Sequence, residues 1–180
     1  SNIDATGNSI NNTLKGNSGN NTLSGDDGDD TLNGGSGNDI LNGGNNNDTL
    51  YGGSGEDTLN GGSDDDRLFG MHDNDSLNGG LGNDSLFGGI GDDTLDGGDG
   101  DDYLNGGSGN DTMSGGAGND RYIVDSSSDS ITENLSQGTD KIYSSATFVA
   151  PDNVEQLILT GSSNIDATGN SINNTLKGNS

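Results

Sequence analysis

Acidic side chains recur at a fixed spacing along most of this sequence. From Asp30 to Asp120 an aspartate stands at every ninth residue, and Asn12 and Asn21 occupy the two equivalent positions before them. Carboxylate oxygens repeated so regularly could hold a series of hard cations. The eleven aspartates are Asp30, Asp39, Asp48, Asp57, Asp66, Asp75, Asp84, Asp93, Asp102, Asp111 and Asp120.

The overall charge supports a cationic ligand. The 180 residues include 30 acidic and 5 basic side chains, for a formal charge of −25 at pH 7. Nucleic acids and anionic membranes select Lys and Arg, so we expect neither nucleic-acid binding nor membrane insertion. The single histidine and the absence of cysteine argue against a zinc site. Only 24% of the residues are hydrophobic, so composition alone predicts a disordered chain. A folded structure can be predicted only from the order of the residues.

The aspartates belong to a nine-residue repeat. Residues 7–123 divide into 13 unbroken nonads, with the aspartates at position six. Position one is Gly in all 13 nonads, and positions two and four are each Gly in nine of them. Position eight is apolar throughout, being Leu in eleven nonads and then Met113 and Tyr122. A flexible glycine-rich linker would not keep an apolar residue in phase over this length.

This pattern predicts an all-β fold. One apolar residue in nine is too few for an amphipathic helix, so each nonad is predicted to form a three-residue strand, such as residues 31–33, and a six-residue turn. Glycines at positions one, two and four are expected to supply left-handed backbone conformations. Two strand–turn units make an 18-residue coil, and the coils stack with position eight in a thin interior. The predicted fold is a right-handed parallel β-roll, a β-solenoid with two short strands and two turns per coil.

Stacked coils bring the aspartates into two rows. A period of two nonads places Asp30 beside Asp48 on one edge and Asp39 beside Asp57 on the other. Two carboxylates and several turn carbonyls would form an all-oxygen cage, which suits Ca²⁺ better than Mg²⁺ or Zn²⁺. The pairs predict nine shared calcium sites, and Asp111 with Asp129 would add a tenth. Since the interior is too thin to offset the entropy of ordering the chain, calcium is expected to drive folding.

The repeat resembles a known family. Residues 34–42, Gly-Gly-Ser-Gly-Asn-Asp-Ile-Leu-Asn, match the repeats-in-toxin (RTX) nonapeptide at every defined position. The resemblance implies calcium held by the position-six aspartates and turn carbonyls. It also implies an exported bacterial protein, secreted or at the cell surface, that is unfolded in the cell and folds in extracellular calcium. The glycines whose carbonyls would serve are Gly35, Gly37, Gly53, Gly55, Gly89, Gly91, Gly98, Gly100, Gly107 and Gly109.

Some nonads depart from the pattern. Asn12 and Asn21 carry no charge, so the first turns are expected to bind calcium weakly. Asp64 replaces a turn glycine in residues 61–69, and Met71 and Asp73 replace glycines in residues 70–78, which predicts a strained or distorted turn in the second of these nonads. Asp66 and Asp75, in those turns, are still expected to be ligands.

The pattern loosens after residue 123. In residues 124–132 Asp129 and Ile131 keep positions six and eight, and strand-like stretches follow at residues 141–149 and 154–160. We interpret residues 1–123 as the RTX β-roll and residues 124–168 as a degenerate continuation with longer strands; a separate capping subdomain is the alternative. The predicted core of the continuation is Ile142, Phe148, Val149, Val154, Leu157 and Leu159.

The two ends of the chain are identical. Residues 1–18 recur unchanged as residues 163–180, and the offset between the copies is a whole number of two-nonad coils. Residues 169–180, a copy of 7–18, are therefore predicted to start another β-roll repeat. This favours a tandem unit that stacks end to end with adjacent copies; a designed concatemer is the alternative.

Two functions fit these features. The first is a calcium-binding extender in a large secreted or surface adhesin, and the duplicated ends favour it. The second is the calcium-triggered folding and export module of a secreted protease, lipase or polysaccharide-modifying enzyme. A glycan-binding module fits less well. No Ser–His–Asp arrangement or phosphate-binding loop stands out, and His72 is expected to be exposed, so the chain itself is not expected to be an enzyme.

Overall fold

The computed structural model describes residue 2 and residues 4–179, and these form strands and turns. The described part contains no helix that could cross a bilayer. The strands are β1 Ala5–Thr6, β2 Thr13–Lys15, β3 Thr22–Asp27, β4 Thr31–Ser36, β5 Ile40–Asn45, β6 Thr49–Ser54, β7 Thr58–Ser63, β8 Arg67–His72, β9 Ser76–Leu81, β10 Ser85–Ile90, β11 Thr94–Asp99, β12 Tyr103–Ser108, β13 Thr112–Ala117, β14 Arg121–Val124, β15 Ser130–Thr132, β16 Lys141–Ser144, β17 Phe148–Val149, β18 Gln156–Leu159, β19 Ala167–Thr168 and β20 Thr175–Lys177.

Successive strands alternate between two parallel sheets. Odd-numbered strands β1 to β15 form one sheet, and even-numbered strands β2 to β20 form the other. Each strand pairs with the strand one coil away, so that Leu32 lies opposite Leu50 in one sheet and Leu41 opposite Leu59 in the other. The register of the regular strands is one coil of two nonads, which confirms the predicted parallel β-roll.

The regular strands are longer than the sequence predicted. β4 to β13 each contain six residues and extend through positions one and two, which are glycine in all of them except at Met71 in β8. Gly35 pairs with Gly53, for example, and only positions four to six are left to turn the chain. The prediction of three-residue strands was wrong because glycine shows no side-chain alternation, although its backbone groups still require hydrogen-bond partners.

A single file of side chains from each sheet fills the interior. The position-eight residues from Leu23 to Tyr122 are at most 1% exposed, as predicted, and Leu14 is only partly buried at the end of the roll. Beyond them Ile142, Phe148, Val154 and Leu157 extend the same core. Leu159 is also buried, but Val149 is 60% exposed, which corrects its assignment to the core.

The coils beyond the nonads are irregular in length. In the even-numbered sheet Arg121 pairs with Lys141, Lys141 with Gln156 and Gln156 with Thr175, so successive coils differ in length and the middle one is the shortest. The predicted stretch 141–149 is divided between β16 and β17, and β17 pairs with β19 outside the two main sheets. The division of the chain at residues 123 and 168 remains a proposal.

Stacked aromatic rings run along the outside of the even-numbered sheet. The ring centroids of Tyr51 and Phe69, and of Phe69 and Phe87, are 5.0 Å apart with interplanar angles of 9° and 6°. The Arg121 guanidinium lies 5.3 Å from the Tyr103 ring and 4.3 Å from the Tyr143 ring. The stack follows from aromatic residues at position nine of three alternate nonads, Tyr51, Phe69 and Phe87, a signal that the repeat analysis overlooked.

We expect Phe69→Ala to lower the stability of the calcium-loaded protein by about 1–3 kcal/mol, because it removes two ring pairs of roughly 0.5–1.5 kcal/mol each. Thermal unfolding in saturating calcium measures this loss. Asn60→Ala is the matched control, since Asn60 holds the equivalent exposed position in the other sheet. Equal midpoints for the two variants would show that the ring stack contributes nothing.

Candidate metal centres along two rows of turns

The position-six aspartates line both edges of the roll, and each is hydrogen-bonded to the turn before it. The backbone N–H of Asp30 donates to Oδ1 of Asp48 and that of Asp39 to Oδ1 of Asp57, both at 2.7 Å. The same bond joins every predicted pair. The ten pairs are 30/48, 39/57, 48/66, 57/75, 66/84, 75/93, 84/102, 93/111, 102/120 and 111/129.

The second oxygen of each regular aspartate is buried without a partner. Oδ2 of all eleven aspartates from Asp30 to Asp120 has no hydrogen bond, although these residues are at most 3% exposed. A buried carboxylate is strongly unfavourable unless it is protonated, paired or bound to a metal. Burial, reinforced by the charges of the neighbouring aspartates, raises the pKa of Asp66 and of Asp102 to about 8. The rows therefore fit a series of oxygen-binding cations.

Position-one glycines make room for these oxygens. None of them has a positive φ, which corrects the expectation of a left-handed conformation at this position. A Cβ on Gly34 would instead come closer than 3.0 Å to Oδ2 of Asp39 and to the carbonyl oxygen of Gly52. Glycine is needed here because the carboxylate of its own nonad and a carbonyl of the next coil both approach its Cα.

Glycines at positions two and four supply the left-handed conformations. Gly35 and Gly37 have φ angles of +107° and +99°. A Cβ on Gly53 would collide with the carbonyl oxygen of Gly35, and a Cβ on Gly55 with that of Gly37. Carbonyls of these two positions therefore point between successive turns. The glycines predicted to be ligands need this orientation, and their role in binding remains a proposal.

The irregular turns keep the regular backbone. Asp64, Met71 and Asp73 have φ angles of +74°, +88° and +72°, and Met71 still pairs with Gly53 and Gly89. Asp26 and Asn46 show the same feature. These turns are not distorted, and the strain falls chiefly on Met71, because left-handed backbone is costly for a residue with a Cβ other than Asp or Asn.

The asparagine turns close on themselves. The Asn8 N–H donates to Oδ1 of Asn12 at 2.7 Å, from position two to position six of one nonad. Asn17 and Asn21 repeat this bond at the same distance. Asn8 and Asn17 lack the positive φ of the regular position two. A turn that satisfies its own position-six oxygen in this way has little need of a cation, consistent with the weak binding predicted for it.

One row continues past the nonads through residues that the sequence analysis did not identify. The Asp120 N–H donates to Oδ1 of Asp140 at 2.9 Å, and the Asp140 N–H donates to Oε2 of Glu155 at 2.8 Å. Residues 138–140, Gly-Thr-Asp, reproduce positions four to six of a nonad. The signal was present, but two extra residues in this coil displace it from the regular period.

A comparison with protein families identifies the repeat. A family model described as the RTX calcium-binding nonapeptide repeat matches overlapping segments at residues 6–41, 42–71, 51–86, 69–104, 87–122 and 96–131. Together these cover residues 6–131, which is more than two thirds of the chain. A comparison with curated proteins finds no match.

We expect Met71→Gly to stabilise the calcium-loaded roll by about 1 kcal/mol, because it relieves a left-handed Cβ at a cost in chain entropy. The midpoint of the calcium titration should fall accordingly. Leu81→Gly is the control: Leu81 is another exposed apolar residue at a strand end, but its φ is not positive. It should destabilise the roll, and a similar effect of both variants would contradict the strain at Met71.

Proposed function

Since the chain belongs to the RTX calcium-binding nonapeptide repeat family, we propose that it is a structural module that stays unfolded inside the cell and folds on meeting extracellular calcium. The observation that carries this proposal is the series of buried, unpartnered Oδ2 atoms on both edges of the roll. Bound calcium supplies positive charge that neutralises these carboxylates and links successive turns. Binding confined to the folded state then contributes directly to the free energy of folding.

Each calcium ion would lie between two turns of one row, giving the nine or ten ions predicted from the pairs. The protein groups that support this placement belong to both turns. Oδ1 of Asp39, for example, accepts a hydrogen bond from the Asn21 N–H in the preceding coil. Its Oδ2 lies against Gly34, together with the carbonyl oxygen of Gly52 from the following coil. An inner aspartate thus contacts the coils on both sides of it.

The duplicated ends support the role of an extender. The first copy pairs on its following side, with Leu14 opposite Leu32, and the second copy pairs on its preceding side, with Leu176 opposite Leu157. One segment with both sets of partners would join the end of one unit to the start of the next. This continuity favours tandem units in a large secreted or surface protein over a single export module attached to an enzyme.

We expect the chain to be largely disordered in excess chelator and to gain β structure as calcium is added, because the thin interior cannot offset the entropy of folding alone. Circular dichroism during a calcium titration measures the change, and magnesium at equal concentration is the control ion. A complete β spectrum in chelator would refute calcium-driven folding.

We expect Asp84→Ala to raise the calcium midpoint several-fold, because Asp84 contacts the turns of both Asp66 and Asp102. Asp99→Ala removes the same charge from an exposed position in the same region and serves as the control. Asn12→Ala, in an end turn, should also change the midpoint little. Equal shifts for Asp84→Ala and Asp99→Ala would mean that net charge, and not ions shared between turns, controls folding.

A tandem protein of residues 1–162 followed by residues 1–180 tests the extender. We expect small-angle X-ray scattering in calcium to give one continuous rod, lengthened by nine coils of about 4.8 Å each. The control carries a flexible Gly-Ser segment between the two units. Scattering from two independently oriented bodies in both proteins would rule out continuous stacking.

A further inference from the structure

We propose that Asp120, Glu133 and Asp140 form a separate cation site of the calcium-binding class, which closes one row at the end of the regular nonads. This inference rests on the proposed calcium binding and adds a site whose ligands differ from those of the repeat. One oxygen from each of the three carboxylates lies within 4.8 Å of the others. The three residues are 1%, 7% and 1% exposed, so three carboxyl groups share one buried space.

Two of the oxygens in this space lack any partner. Oδ2 of Asp120 and Oε2 of Glu133 are buried and accept no hydrogen bond. The remaining contacts hold the carboxylates in place: Oε1 of Glu133 accepts a hydrogen bond from the Tyr122 hydroxyl, and Oδ1 of Asp140 accepts one from the Asp120 N–H at 2.9 Å. The groups are thus oriented by the protein, while the oxygens left over have nothing to neutralise them.

The position of Glu133 explains why the site differs from the others. Counted in nines from Gly7, residue 133 falls at position one, which is Gly in all 13 nonads. In a regular turn the carbonyl oxygen of the position-one glycine one coil further on lies against the position-one glycine. The carbonyl oxygen of Gly115, for example, lies against Gly97. At Gly115 itself the closest groups are Asp120 and the Tyr122 hydroxyl. The Tyr122 hydroxyl therefore takes the place of that backbone carbonyl, and Glu133, which accepts its hydrogen bond, adds a side-chain carboxylate to the site.

The longer coil accommodates this side chain. Asp140 follows Asp120 by two residues more than a regular coil, yet it accepts the same backbone hydrogen bond as a regular position-six aspartate. The site thereby combines three carboxylates, against two at a regular pair of turns. Because affinity for Ca²⁺ rises with the number of charged ligands and the rigidity of the site, this site is expected to be among the first to fill.

Counting bound ions tests the proposal. Equilibrium dialysis of the folded protein against Ca²⁺ should show one ion fewer for Glu133→Gln than for the parent chain. Glu56→Gln is the control, because Glu56 is an exposed glutamate in a regular turn, and it should leave the count unchanged. An unchanged count in folded Glu133→Gln would overturn the site. A parent chain that fails to fold in calcium would instead refute the proposed function.

Terbium luminescence gives a second measurement that does not depend on whether Glu133→Gln folds. A Tb³⁺ ion held by Glu133 lies next to Tyr122, whose excitation should sensitise its emission at the lowest Tb³⁺ concentrations. Tyr122→Phe keeps the three carboxylates and should lose most of this early emission. Emission that is unchanged in Tyr122→Phe would place the first ions elsewhere and overturn the proposal.

Discussion

The structure depends on how one carboxylate is shared in each turn. Oδ1 of every regular position-six aspartate accepts a hydrogen bond from the coil before it, and this bond links each turn to the preceding one. Oδ2 is buried beside it with no protein partner. The fold thus requires the aspartates to be buried but leaves half of each carboxylate unsatisfied. A cation between the turns would resolve this conflict, and this is the basis of our proposal that the chain folds together with its ligand.

The other constant features of the nonad follow from the same arrangement. Position-one glycine leaves space for the carboxylate and for the carbonyl of the next coil, while glycines at positions two and four turn the backbone so that further carbonyls face the gap. The position-eight residues close the interior but provide only one side chain per nonad. The packing of the position-eight residues therefore favours the coil geometry. Whether the chain adopts this folded geometry depends on the turns, where the carboxylates and carbonyls converge.

Periodicity made most of the fold predictable, and its interruptions mark where prediction failed. Leu32 lies opposite Leu50 and Asp48 beside Asp30 because the period of two nonads is visible in side chains. Strand length was misjudged because glycines join the ladder without leaving a pattern. Glu133 and Asp140 were overlooked because their coil is longer than the regular ones. The conformation of position one was misassigned because sequence does not distinguish glycine chosen for its φ from glycine chosen for close approach.

The asparagine turns at the two ends have a mechanical consequence. The second copy repeats the bond of the first, with the Asn170 N–H donating to Oδ1 of Asn174 at 2.7 Å. In a tandem array these turns would fall at every junction, where hydrogen bonds alone hold the edge that elsewhere carries buried carboxylates. Calcium concentration would then set the bending stiffness of each unit but not of the junctions. Such an array would remain one continuous rod, but its resistance to bending would be lowest at the junctions.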